Sequence, residues 1–73
     1  MTKQDVTSTV TGTVWKVETA KGDRIAEGDP ILIIESMKME IPVMAPVAGV
    51  VSEILVAVDD MVDEGQILAV IEA

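Results

Sequence analysis

The most constraining feature of the sequence is an internal repeat, in which residues of the first half recur 37 positions later. Gly12 corresponds in this way to Gly49, and no gap is needed to align the rest of the two copies. The same offset relates Val14 to Val51, Val17 to Ile54, Ala20 to Ala57, Asp23 to Asp60, Ile25 to Val62, Glu27-Gly28 to Glu64-Gly65, and Ile34-Glu35 to Ile71-Glu72. Such a repeat predicts two equivalent halves related by a pseudo-two-fold axis.

Both copies have the composition of β-structure. Glycines recur too often for a helix, and β-branched residues dominate between them. We predict strands over residues 6–10, 12–19, 31–35 and 39–45, with residues 1–4 frayed and residues 5–73 forming a single domain. Proline has no amide hydrogen to donate, so the strand containing Pro42 is predicted to lie at a sheet edge or to carry a bulge.

The glycines of the repeat predict where the chain turns. Gly28 and Gly65 each follow an acidic residue in a turn that requires left-handed geometry, which glycine adopts without strain. Gly12 and Gly49 are also interpreted as structural turn residues. Gly22 is matched by Asp59, and aspartate is among the few residues that tolerate a positive φ.

The apolar spacing within each copy predicts an irregular strand. Val14 and Val17 are three residues apart, as are Val51 and Ile54, whereas one face of a regular strand repeats at even intervals. A β-bulge at the same place in both copies would account for this spacing.

A β-hairpin is predicted around residue 38. The apolar run 31–34 leads into it and the extended run 41–45 leads out, with little chain between them. Lys38 then lies at the hairpin tip, exposed to other proteins. Because the repeat offset equates Lys38 with the start of the chain, we expect the chain ends at one end of the domain and Lys38 at the other.

Composition excludes several classes of function. A net charge of −8 and a single aromatic residue, Trp15, argue against nucleic-acid binding. No apolar run approaches the length of a membrane-spanning helix, and no signal peptide opens the chain. We therefore expect a monomeric, cytoplasmic domain that contacts no membrane and whose partners are proteins with basic surfaces.

Catalysis by this chain itself is not expected. It contains no histidine, cysteine or tyrosine, and a chain of 73 residues can hardly enclose the deep apolar pocket that would tune a carboxylate to titrate near neutral pH. A metal site at Asp59, Asp60, Asp63 and Glu64 is conceivable, but the repeat accounts for most of these as turn residues.

The residues around Lys38 suggest a site that another protein recognises. Methionine is uncommon in turns, yet Met37 and Met39 flank the lysine on both sides. Exposed methionines are flexible and polarizable, which suits contact with a partner. Nearby carboxylates, Glu35 and Glu40, stabilise the positive charge of Lys38, so we expect this lysine to be a substrate of another enzyme.

The segment from Glu35 to Glu40, followed by the turn Ala45-Pro46-Val47-Ala48-Gly49, closely resembles the biotinyl domains of biotin-dependent carboxylases. The similarity covers residues 6–72, and in size the chain resembles the short stand-alone biotin/lipoyl attachment proteins. The Met-Lys-Met core of the motif is specific when it falls between two half-repeats. Ser36 departs from the alanine that is commonest there, and we expect little effect from this change.

The resemblance implies a fold, a cofactor and three partners. The fold would be a flattened β-barrel, or barrel-sandwich hybrid, of two four-stranded antiparallel sheets. Biotin protein ligase would attach biotin to Lys38, and Met37, Met39, Ser36, Glu35 and Glu40 would contribute to recognition. The biotin would carry carboxyl from a biotin carboxylase to a carboxyltransferase. The thumb loop of some carriers has no counterpart here, because the repeat aligns without insertion.

Two other interpretations remain open at this point. A lipoyl carrier would have the same fold, but lipoyl domains usually have Asp-Lys-Ala or Asp-Lys-Val at the turn. A β-module for docking or assembly, with Lys38 unmodified, is the second.

Overall fold

The computed structural model describes residues 2–73, which form eight β-strands. The strands are β1 (Lys3–Thr7), β2 (Gly12–Val17), β3 (Arg24–Ile25), β4 (Pro30–Ser36), β5 (Met39–Met44), β6 (Gly49–Ile54), β7 (Met61–Val62) and β8 (Ile67–Glu72). They make two four-stranded antiparallel sheets, with strand orders β1-β8-β6-β3 and β5-β4-β2-β7. The predicted fold class is confirmed, and β5, which contains Pro42, is an edge strand as expected.

The repeat is present in the register of the sheets. In β2 and β4, Val14 pairs with Ile34, and in β6 and β8 their repeat mates Val51 and Ile71 pair in the same way. The register shifts directly after Val14 and directly after Val51, so the bulge predicted from the three-residue spacing occurs in both copies. Neither half forms a sheet alone, because β1 pairs with β8, β3 with β6 and β7 with β2.

The core has the same two-fold character. Twelve of its buried apolar residues form six pairs at the repeat offset: Val6 and Val43, Val14 and Val51, Ile25 and Val62, Ile31 and Leu68, Leu32 and Ala69, Ile34 and Ile71. Ala45 is the remaining member, and its mate Ser8 is buried too. The Ser8 hydroxyl donates to the carbonyl of Val10 and accepts from the Val10 amide, so its burial leaves no polar atom unsatisfied.

Side chains close the turns in equivalent ways. The amides of Ala20 and Ala57 each donate to an aspartate three residues later, Asp23 or Asp60, at 2.8 Å. Gly22 and Asp59 both have positive φ, 95° and 78°, as the repeat predicted. Gly28 and Gly65 are left-handed as well, at 90° and 85°.

Within residues 2–73 no three acidic side chains come close enough to hold a metal ion.

The structure corrects two expectations about the N-terminal residues. Residues 2–4 are not frayed: Lys3 and Gln4 pair with β8, and Thr2 exchanges backbone hydrogen bonds with Ala73. The strand predicted at residues 6–10 accordingly begins at Lys3 and ends at Thr7, while Met1 lies outside the described residues.

Gly12 and Gly49 are not turn residues, because each is the first residue of a strand. They are required for a different reason. A Cβ atom on Gly12 would lie 2.8 Å from Ile34 Cγ2 and press on the Glu35 carbonyl, and one on Gly49 would lie 2.9 Å from Ile71 Cγ2. Only glycine therefore allows these strands to approach so closely.

We expect Gly12→Ala to lower the free energy of unfolding by about 1–3 kcal/mol, because the new methyl group overlaps backbone of β4. Gly49→Ala should cause a similar loss through its contact with β8. Urea denaturation followed by circular dichroism measures both. Gly22→Asp is the control and should destabilise the protein less than Gly12→Ala does, since a Cβ atom there meets no neighbour and the other half has aspartate in that conformation. Equal stability of Gly12→Ala and wild type would contradict this account.

Candidate functional site: the Lys38 turn

Lys38 lies in a two-residue turn between β4 and β5. Ser36 and Met39 are the last paired residues, and Met37 and Lys38 connect them with φ values of 51° and 64°. Positive φ at both central residues is the signature of a type I′ turn, which normally contains Asn-Gly. The predicted hairpin tip is confirmed, and its lysine is exposed.

The turn is built from residues that disfavour its conformation. A left-handed backbone costs a residue with a Cβ atom roughly 1–2 kcal/mol relative to glycine. Within residues 2–73, the positive-φ positions other than Met37, Lys38 and Asp59 are all glycines. Strain of this kind persists where the surrounding structure enforces it, and it often marks functional positions. The side chains of Met37 and Lys38 are therefore present in the turn at a cost in stability.

The strand directions place Lys38 and the chain ends at opposite ends of an elongated domain of 36 × 18 × 18 Å. β1 runs away from the paired termini towards Thr11, and Thr11 accepts a hydrogen bond from Ser36 beside the turn. This arrangement agrees with the expectation from the repeat offset.

Hydrogen bonds to Thr11 hold the base of the turn. The Ser36 hydroxyl donates to the Thr11 carbonyl at 2.9 Å, and the Glu64 amide donates to Thr11 Oγ1 at 3.2 Å. The repeat mates of Ser36 and Thr11 are Ala73 and Ala48, which have no hydroxyl group. This anchoring is therefore specific to the lysine end. One signal for this anchoring is visible in the sequence. Thr11 and Ser36 have hydroxyl groups at positions where the other copy has alanine.

The charges beneath the turn also depart from two-fold symmetry. Glu35 and Glu40 are directly opposite each other on β4 and β5, whereas their mates, Glu72 and Lys3, form a pair of opposite charge. Like charges opposite each other destabilise a sheet slightly and leave a negative field at the surface. In the part of the chain that the structure describes, Lys38 forms no ion pair with either glutamate.

The methionines beside the lysine are strongly exposed. Met37 and Met39 are 93% and 65% accessible, so both side chains are available to a partner protein. The structure thus brings all six residues of the predicted motif into one turn and the strand ends next to it. The site offers a free primary amine on a rigid support, and the chemistry that it can undergo is acylation by another enzyme.

The family model described as biotin-requiring enzyme, which covers biotin and lipoyl domains, matches residues 3–71. The chain belongs to this biotin/lipoyl family. It is 46% identical over 68 residues to the biotinylated protein TB7.3 homolog of Mycobacterium leprae, covering 93% of this chain and 96% of that protein. It is also 46% identical over 57 residues to the biotin/lipoyl attachment protein of Bacillus subtilis, covering 78% of each chain.

The same biotin/lipoyl fold occurs inside large enzymes. A domain of the Kluyveromyces lactis urea carboxylase superposes with a TM-score of 0.93 at 40% identity, covering 99% of this chain but 6% of the enzyme. The family matches confirm the biotin carrier domain predicted from the sequence, with biotin as its cofactor.

Within residues 2–73 there is no helix long and apolar enough to cross a bilayer.

The strain at the turn leads to a stability prediction. Lys38→Gly should raise the free energy of unfolding by about 1 kcal/mol, because glycine adopts the observed φ of 64° without penalty. Lys38→Ala should not, since alanine keeps the Cβ atom. Lys21→Gly, in a turn without positive φ at that residue, is the control and should bring no gain. Urea denaturation measures all three, and a destabilised Lys38→Gly would contradict the assigned strain.

Proposed function

We propose that Lys38 is the biotin attachment site and that this chain is the carboxyl carrier of a biotin-dependent carboxylase. Biotin protein ligase would condense the biotin carboxyl group with the Lys38 amine, forming an amide and formally releasing water, with ATP cleavage supplying the driving force. The observation that carries this proposal is the exposed lysine retained in a turn that favours glycine. The family membership of the chain supports the identity of the attached group.

The proposed carrier acts by position rather than by catalysis. Acylation removes the lysine charge and leaves a long tether on one end of a rigid body, which raises the concentration of the carried group at both partner sites. We infer that these are a biotin carboxylase and a carboxyltransferase, and that the domain has no catalytic site of its own. The lack of histidine, cysteine and tyrosine supports that inference. Without a thumb loop, the biotinyl group should swing freely.

The attachment site can be tested by mass. Incubation of the purified protein with biotin, ATP and biotin protein ligase should add one biotinyl group, visible by intact mass spectrometry. Lys38→Ala should prevent the addition, whereas Lys16→Ala and Lys21→Ala should be biotinylated normally. A wild-type protein without the added mass, or a Lys38→Ala variant that acquires it, would refute the proposal.

The role of the methionines can be tested with a matched pair of variants. Met37→Asp should lower the kcat/KM of biotinylation by about tenfold or more, because it places a charge where a partner contacts an apolar side chain. Met44→Asp introduces the same charge at another exposed methionine, at the far end of β5, and should change kcat/KM by less than about twofold. Equal effects of the two substitutions would show that charge alone, and not recognition at the turn, controls the rate.

Lipoylation is a second candidate modification, because the Bacillus subtilis relative is named as a biotin/lipoyl attachment protein. The same assay with a lipoyl ligase distinguishes the two groups. We expect the lipoyl group to be attached more slowly than biotin, since the turn has Met37 where lipoyl domains usually have aspartate.

A further inference from the structure

The two halves share a fold but differ on the outer faces of their sheets. Positions that build the core are matched by similar residues, whereas three outward positions near the lysine end have dissimilar mates. Trp15 corresponds to Ser52, Met61 to Arg24, and Thr11 to Ala48. Because the sheet that contains β6 and β3 folds with Ser52 and Arg24 at the equivalent positions, the fold itself does not require tryptophan and methionine there.

The sheet that contains Ser52 and Arg24 shows this part of the fold without the tryptophan and the methionine. A groove of about 660 Å³ lies open beside the chain ends, lined among others by Arg24, Val50, Ser52 and Glu72. The repeat offset carries these positions to Met61, Thr13, Trp15 and Glu35 in the other sheet. At the lysine end, the positions equivalent to Ser52 and Arg24 are therefore those of an indole and a thioether.

Register places Met61 in the row below the Lys38 turn and Trp15 farther from the turn on the same sheet. Met61 pairs with Thr13, Thr13 with Glu35, and Glu35 with Glu40, so one row crosses the sheet immediately below the turn. Trp15 is the bulged residue of β2, two positions along the strand from Thr13. Its side chain is 45% exposed and that of Met61 is 80% exposed. We call the surface formed by Trp15, Thr13 and Met61 the Trp15–Met61 face.

Acidic residues border the Trp15–Met61 face on the side of Met61 and towards the Lys38 turn, while Lys16 follows Trp15 in β2. Glu35 and Glu40 continue the row that contains Met61, and Asp59, Asp60, Asp63 and Glu64 flank Met61 along the chain. An apolar centre with a negative border is complementary to an apolar pocket with lysine and arginine at its rim. Such complementarity raises the rate of encounter and selects the partner.

We propose that the Trp15–Met61 face is the docking surface for the biotin protein ligase that acylates Lys38. This proposal rests on the proposed function. The free amine ends a stem of only four carbons, so the enzyme that acylates it must approach the body of the domain closely. A carboxylase instead meets biotin at the end of a much longer biotinyl arm and requires less contact with the sheet. Tryptophan beside a site of this kind is a typical binding hot spot.

The experiment compares biotinylation kinetics of substitutions at the two equivalent surfaces. Trp15→Ser copies the residue of the other half, and Met61→Gln removes the thioether without adding charge. We expect kcat/KM for the protein substrate to fall by about 10- to 30-fold in Trp15→Ser and by about threefold in Met61→Gln, mainly through KM. Ser52→Ala and Arg24→Gln, at the mirrored positions, should stay within about twofold of wild type.

Two further measurements separate docking from folding and from later steps. Circular dichroism melts should show that Trp15→Ser remains folded at the assay temperature. After exhaustive biotinylation, Trp15→Ser should accept carboxyl from biotin carboxylase at the wild-type rate. Unchanged ligase kinetics in Trp15→Ser would overturn the proposal, and so would normal biotinylation combined with slower carboxylation. If the wild-type protein itself is not biotinylated, the proposed function fails instead.

Discussion

The structure depends on backbone hydrogen bonds that each half makes to the other. The amide of Asp59 donates to the Val14 carbonyl and the Val14 amide donates to the Asp60 carbonyl, both at 2.8 Å. The mirrored bonds join Gly22 and Asp23 to Val51 at 2.7 and 2.8 Å. In each sheet, a turn of one copy is thus hydrogen-bonded to a central strand of the other copy. Neither copy can complete its hydrogen bonds alone, which predicts a single cooperative unit despite the small core.

That cooperativity explains how the Lys38 turn can keep unfavourable residues. A two-stranded hairpin with Met37 and Lys38 at left-handed positions would be unstable by itself, because an isolated hairpin is marginal even with good turn residues. Here β4 is held between β2 and β5, and Ser36 is tied to Thr11. The rest of the domain imposes the turn geometry, so the turn does not need glycine at these positions and can present methionine and lysine side chains.

The repeat made most of the fold predictable. A gapless offset predicted the bulges after Val14 and Val51, the positive φ of Asp59 and the position of Lys38 opposite the chain ends. The start of β1 was missed although the same offset contains it, since shifting the strand predicted at 39–45 back by 37 gives residues 2–8. The composition of β1 does not indicate a strand. Because β1 lies at a sheet edge and Val6 alone is buried in it, its sequence shows little apolar periodicity.

Gly12 and Gly49 were recognised as important but assigned the wrong role. A glycine required by a close approach and a glycine required by positive φ look alike in a sequence, and coordinates are needed to distinguish them. The Trp15–Met61 face was missed for a related reason. Hydrophobic residues in a strand are first interpreted as core, and only the register shows that Trp15 is the bulged residue with an exposed side chain.

The two ends of the domain depart from two-fold symmetry in different ways. At one end the paired residues Thr2 and Ala73 bring the termini together, with Lys3 opposite Glu72 in the adjacent row. A domain with adjacent termini can stand alone or be inserted into a longer chain without changing its sheets. At the other end a continuous turn replaces the termini, and Glu35 faces Glu40. The residues that match between the two halves build the core and the sheets. The residues that differ near Lys38 form the surface that we propose a partner recognises.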